Sequence, residues 1–297
     1  MRIIRARHLG MCFGVRDAIE LAIDRAAAAP LTILGDLVHN STVLARLRSR
    51  EIAIAHNPAE VKTQTVMVTA HGASERTLAS ARARGLEVVE ATCPLVRVAH
   101  QAINALRRDG YHPVIIGQRG HVEVRGLTDD LDDFDVVLDE DDVLALRRHA
   151  RIGIAAQTTQ PIGKVRHLVA LIRRRFPESD VRFIDTVCQP TKQRQDAAIA
   201  LARQSDVLIV VGGAASNNTR ELVNTCSRYC SQVHHIETEA DLDPEWCAAA
   251  GTVGITAGTS TPDDVIDRVE ARIRNGCLPD TRRGDRPLHA RRLPLHE

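Results

Sequence analysis

A chain of 297 residues, 44% of them hydrophobic, is long enough for two or three compact domains with apolar cores. Aromatic residues make up 2%, which leaves few platforms for stacking bases, and 39 basic against 38 acidic residues give a net charge of +1. Nucleic acid and anionic membrane surfaces are therefore not expected partners. No apolar run reaches the roughly 18 residues of a membrane span, and MRIIRARHLG lacks the apolar core of a signal peptide, so a cytoplasmic location is expected. Seven cysteines, an odd number, argue against a disulfide framework and leave metal ligation, redox chemistry or plain burial.

Short apolar runs alternate with helical patterns along the chain, which predicts an α/β fold with mostly parallel strands. Strands are predicted at 2–6, 31–35, 65–70, 86–91, 113–117, 151–156, 181–185, 206–211 and 252–257. Between them, the segments from Val15, Val96 and Arg194 space their apolar residues by three and four, as helices do. The acidic stretch around Asp132 predicts a solvated loop running into a short strand and helix.

The pattern repeats three times. The first, fourth and seventh strands each lead into a cysteine and a helix: HLGMCFG with Cys12, EATCP with Cys93 and DTVCQP with Cys188. The other six end in polar loops before helices: GDLVHNST, TAHGASE, GQRGHVEV, AAQTTQP, GGAASNNT and TAGTSTP. Three similar small parallel-sheet α/β units follow, in a pseudo-threefold arrangement that points all strand C-termini to one centre. The expected units are 1–92, 93–186 and 187–275, and 276–297, rich in Arg and Pro, is expected to be a disordered or surface-draped tail.

Thiolates are soft ligands suited to iron-sulfur clusters, zinc or copper. Spacings of 81 and 95 residues match neither a zinc finger nor a ferredoxin run, so the signal lies in the equivalent positions, each at a helix start that favours thiolate. Three ligands would leave one metal position open. Cys226 and Cys230, four apart on a predicted helix, suit structural or surface roles, and Cys247 and Cys277 carry no motif.

Helix starts bind anions through unpaired amides, and side chains of Ser, Thr, Asn and His add neutral donors. His39, His71, His121, Thr158, Ser216, Asn218 and Ser260 are therefore candidates for cradling a phosphorylated ligand. Ser, Thr and Asn in such places are ordinarily caps. No Walker or GxGxxG pattern indicates a nucleotide. Glu123, beside His121, is the candidate general acid; His100 and His167 are expected to be solvated on helices.

Taken together, GMCFGV, LVHNSTV, TAHGAS, ATCPLV, GHVEVRG, QTT, DTVCQPTKQRQ, SNNT and TAGTSTPD resemble the 4-hydroxy-3-methylbut-2-enyl diphosphate reductase family, from Gly10 to about Arg274. That family catalyses the last step of the methylerythritol phosphate route to isoprenoids. The resemblance implies a four-iron four-sulfur cluster on Cys12, Cys93 and Cys188, and a two-electron reductive dehydroxylation giving isopentenyl and dimethylallyl diphosphates. Electrons would come from ferredoxin or flavodoxin. It further implies diphosphate contacts from His39, His71, His121, Ser216, Asn218 and Ser260, support of the substrate hydroxyl by Thr158, and Glu123 on the proton path.

Three positions depart from the family pattern: Val122 stands for the usual proline, and Ala215 and Asn217 stand for Asn and a second Ser. The Asn217 amide could remake the diphosphate contact that the serine would supply. Two rivals share the residues. An iron-sulfur hydro-lyase needs no electrons, and a non-catalytic iron-sulfur or zinc sensor turns nothing over.

Overall fold

A computed structural model describes residues 1–277, so the expectation about the tail lies outside the described residues, apart from the last turn of the final helix. The chain opens with β1 (Arg2–Arg5), α1 (Phe13–Ala28), β2 (Leu31–Leu34), α2 (Ser41–Arg48), β3 (Ala53–Ala55), β4 (Thr65–Val68), α3 (Glu75–Ala83) and β5 (Glu87–Glu90). It continues with α4 (Pro94–Arg108), β6 (His112–Ile116), α5 (Val122–Thr128), β7 (Asp135–Val137), α6 (Glu140–Ala145), β8 (Arg151–Ala156), α7 (Ile162–Arg175) and β9 (Asp180–Phe183). The last stretch holds α8 (Gln189–Ala202), β10 (Val207–Val211), α9 (Asn217–Cys226), β11 (Val233–Ile236), β12 (Thr252–Ala257) and α10 (Asp263–Cys277).

The strands form three four-stranded sheets, ordered β3-β2-β4-β5, β7-β6-β8-β9 and β11-β10-β12-β1, and every pairing is parallel. Each sheet is packed on both faces, because successive side chains of a strand point to opposite sides. In β10, Val207, Ile209 and Val211 enter one apolar cluster while Leu208 and Val210 enter another. In β6, Val114 and Ile116 face one side and Ile115 the other. The fold is three-lobed α/β, as the repeats imply.

Two differences from the sequence reading matter. Strand β1, assigned by chain order to the first unit, pairs instead with β12, Arg2 opposite Thr252, and completes the third sheet. A parallel neighbour needs a long crossover, and here almost the whole chain serves as that crossover. Three short edge strands, β3, β7 and β11, were legible only for β7, within the acidic stretch. The others, AIA and VHHI, are too short to show a period of two.

The cysteine helices also begin earlier than their apolar spacing suggests. Cys12, Cys93 and Cys188 are themselves the N-cap residues of α1, α4 and α8, Cys12 and Cys188 with extended backbone, and Pro occupies the first turn of α4 and α8, where its missing N–H costs nothing.

Candidate active site

The three cysteine turns are anchored identically. The backbone amides of Cys12, Cys93 and Cys188 donate to the carbonyls of Thr259 at 3.0 Å, Ala70 at 3.1 Å and Thr158 at 3.0 Å. Each acceptor stands two residues past the end of β12, β4 or β8, so one backbone bond per unit carries a thiol to the common centre. None of the three side chains caps its own helix, which leaves the sulfurs free to turn inward.

All three line one cavity of about 560 Å³, counting its opening, together with Phe13, Leu95, His71, Glu123, Thr158 and Thr159. Gly14 lets the arms close up: a Cβ there would lie 2.5 Å from Cys93 Sγ. Burial pushes the Cys93 thiol up, against the pull of the Leu95 and Val96 amides, and the negative charge of a Cys12 thiolate pushes it further. Burial likewise pushes Cys188 up to about 11, while the Thr191 hydroxyl, 3.0 Å from its sulfur, favours the thiolate.

Glu123 is fully enclosed. Its Oε1 accepts from the Thr158 amide at 2.7 Å and its Oε2 from the Thr158 hydroxyl at 3.1 Å. Burial outweighs both bonds and raises its carboxyl to about 7, so near neutral pH it exists in both proton states.

A second cavity of about 330 Å³ adjoins the first, the two sharing Val15, His71, Thr159 and Thr259. Here the structure gathers His39, His121, Ser216, Asn217, Asn218 and Ser260. Ring centroids of His39, His71 and His121 lie 5.0, 5.2 and 5.6 Å apart. Burial lowers all three imidazoles, His121 to about 4 and His71 well below its ordinary value, so they are neutral at pH 7. His39 Nε2, Asn218 Nδ2 and Ser260 Oγ are buried without a partner. Unpaired buried polar atoms are costly, and three on one cavity mark a place for a polar ligand.

Local turn chemistry sets these positions. His121 and Ser216 stand five residues past β6 and β10 and cap α5 and α9, accepting from the Glu123 and Thr219 amides; His39 stands five past β2, just before the capping Asn40. Gly213 admits the third unit's loop against the first: a Cβ there would come 2.2 Å from the His39 carbonyl oxygen. Asn217 Nδ2 donates to Thr159 Oγ1 at 3.2 Å, joining the third unit to the second.

Thr159 went unremarked in the sequence beside Thr158, yet it lines both cavities. It stands three residues past β8, as His71 does past β4 and Ser260 past β12, and that offset was the available signal. His100 is not solvated: it is half-buried, its Nε2 has no partner, and its ring lies against Gly72 and Gly126. His167 is exposed and pairs with Glu140 at 2.8 Å. Cys226, Cys230 and Cys247 are buried away from the site, Cys230 Sγ against the carbonyls of Ser205 and Gln232.

Another ligand-type group, His112, Asp135 and His149, sits at the opposite strand ends. Its two rings stack 3.6 Å apart at 7°. His112 Nε2 lies 2.9 Å from Asp135 Oδ2, so a carboxylate already partners one of the two rings.

Residues 3–274 match the family model described as LytB protein. The chain belongs to the LytB protein family. Among LytB relatives, the 4-hydroxy-3-methylbut-2-enyl diphosphate reductase of Pelobacter propionicus is 37% identical over 275 residues, covering 92% of this chain and 98% of the relative. The enzyme of the same name from Aquifex aeolicus is 36% identical over 281 residues, covering 93% and 96%. A solved structure of (E)-4-hydroxy-3-methyl-but-2-enyl diphosphate reductase, described as the terminal enzyme of the non-mevalonate pathway, superposes with a TM-score of 0.66 at 35% identity, covering 93% of this chain and all of that one. The E-1-hydroxy-2-methyl-but-2-enyl-4-diphosphate reductase of Plasmodium falciparum gives 0.85 at 24% identity, covering 94% and 89%, a likeness of fold. The family resemblance carried by the motifs is borne out.

Proposed function

We propose that this LytB chain is an oxidoreductase that converts 4-hydroxy-3-methylbut-2-enyl diphosphate to isopentenyl and dimethylallyl diphosphates, using a four-iron four-sulfur cluster held by Cys12, Cys93 and Cys188. The observation that carries the reading is the meeting of three cysteines, each at a helix N-cap position, at a cavity that shares a wall with a pocket of unpaired neutral polar groups. The thiols fit a cluster better than a single ion. A tetrahedral ion bound at about 2.3 Å per sulfur draws sulfurs to within roughly 4 Å of each other. Among the described residues, the groups whose ligand atoms all lie within 4.8 Å of one another do not include these three. That spacing disfavours a zinc sensor.

When bound, the cluster supplies electrons and one open iron position. The net reaction breaks the allylic C–O bond, forms a C–H bond, consumes two electrons and two protons and releases water. An external one-electron carrier, ferredoxin or flavodoxin, supplies the electrons. His39 Nε2, Asn218 Nδ2 and Ser260 Oγ, with His71, His121, Ser216 and Asn217 around them, donate to the diphosphate, and its charge favours protonation of the neutral imidazoles. With the diphosphate in the second cavity, the substrate hydroxyl reaches into the first, which Thr158 and Glu123 line. In the fraction protonated near pH 7, Glu123 donates from Oε2 to Thr158 Oγ1, and the threonine hydroxyl, turned away from the carboxylate, gives its own proton to the departing oxygen.

The test is anaerobic purification with reconstitution, followed by dithionite-driven turnover of the allylic diphosphate. Brown protein that yields both products only with reductant supports the reading. Turnover without reductant indicates a hydro-lyase, and a loaded protein inert to the diphosphate overturns the enzyme altogether.

A further inference from the structure

Helix α8 carries its apolar stripe through Ala198, Leu201 and Ala202, and the same buried face continues back toward Cys188 through Gln195, Arg194 and Thr191. An arginine on a buried stripe is unusual, because the guanidinium stays charged in proteins and an unpaired buried charge is strongly unfavourable. Arg194 is 8% exposed. Its Nε donates to the Gly10 carbonyl at 3.0 Å and its Nη1 to the Pro190 carbonyl at 3.1 Å.

Those two carbonyls stand two residues before Cys12 and two after Cys188, so one side chain ties together the arms that carry two of the thiols. Among the described residues it forms no ion pair with a carboxylate, and the negative groups that act on it are the sulfurs of Cys12 and Cys188. Neutral bonds orient the guanidinium without cancelling its charge. The compensation available is the negative charge that the two sulfurs carry as ligands.

We propose that Arg194 is a positioning residue and fixed counter-charge for the metal centre: its buried guanidinium holds the Cys12 and Cys188 arms together and stabilises the centre's reduced form. The proposal rests on the reading that these cysteines hold an iron-sulfur cluster. Each electron added makes the centre more negative, and a fixed cation beside two of its sulfurs favours that state more than the oxidised one. Replacing the cation with a neutral side chain should therefore lower the reduction potential.

The test compares wild type, Arg194→Gln and Arg194→Lys after anaerobic reconstitution, reading iron and sulfide content and a redox titration followed by electron paramagnetic resonance. At the potential where wild type is half reduced, the Gln variant should show a reduced-to-oxidised ratio lower by about tenfold, equivalent to about 59 mV for one electron. The Lys variant, which keeps the charge and loses the fork, should stay within about threefold of wild type. A loaded Gln variant with the wild-type potential overturns the proposal, as does a Lys variant shifted about tenfold or more. If Gln prevents loading, the Lys variant alone decides. A wild-type chain that takes up no iron or sulfide would instead defeat the cluster reading, which is a separate result.

Discussion

In the second unit, Glu123 stands seven residues past the end of β6 and accepts from the amide of Thr158, two past β8, at 2.7 Å. In the third unit, Asn218 stands seven past β10 and accepts from the amide of Thr259, two past β12, at 3.0 Å. One scaffold position thus makes one hydrogen bond in both units, with a carboxylate in one and an amide in the other. The first unit puts Ser41 there, and its hydroxyl bonds Glu237 instead at 2.7 Å. The threefold frame supplies position, while a single residue type decides whether that position can hold a proton. Glu123 can hold a proton near pH 7; Asn218 offers an unpaired Nδ2 and never titrates.

The largest break in this contrast should come from Glu123→Gln, which makes the second unit resemble the third. Turnover is expected to fall by about 10²- to 10⁴-fold with KM little changed, because a positioned proton donor contributes in that range. Wild-type turnover should decline as pH rises past about 7, where Glu123 loses its proton, and that limb should be absent from the variant's pH profile. Equal turnover in variant and wild type would take Glu123 off the proton path. Stability carries the same signature. The folded carboxyl stays protonated up to about 7 while the unfolded one ionises near 4.5, so folded stability is lost as pH rises through that interval. The denaturant midpoint at pH 4.5, taken relative to that at pH 8, should be higher in wild type than in Glu123→Gln.

The converse change, Asn218→Asp, places a negative charge in the donor pocket. KM for the diphosphate should rise by about tenfold or more, since like charges at close range repel strongly, with a smaller effect on kcat. An unchanged KM would remove the pocket from diphosphate binding. The mildest effect is expected for Asn217→Ser, which restores the common family residue and removes the bond to Thr159 Oγ1. A shift of KM by a few fold, roughly what one hydrogen bond contributes, is expected in steady-state assays.

Much of this frame was legible because strand ends and helix starts have chemical signatures. Cys12, Cys93 and Cys188 each follow an apolar run and precede a helical pattern, so their equivalence could be read before any coordinates. The polar loops declared themselves by the same logic, and His39, His71 and His121 stood out as imidazoles just beyond strands. What stayed hidden depends on contacts far along the chain. The pairing of β1 with β12 has no local trace, since nothing in RIIR names its neighbour. Thr159 was masked by ordinary cap chemistry and needed the offset from strand ends, shared with Ser260, to be seen. In the sequence Arg194 marks only the start of a helical pattern; extending the stripe of Ala198 and Leu201 back by three and four residues puts it inside.

The partnership of Arg2 with Thr252 also bears on how the molecule is made. At a synthesis rate of about 5–20 residues per second, the opening strand emerges roughly 12–50 seconds before its partner exists. A strand made early is thus among the last to find its place. Its edge stays open to stray pairing throughout that wait, and the third sheet is complete only when these two distant strands are joined.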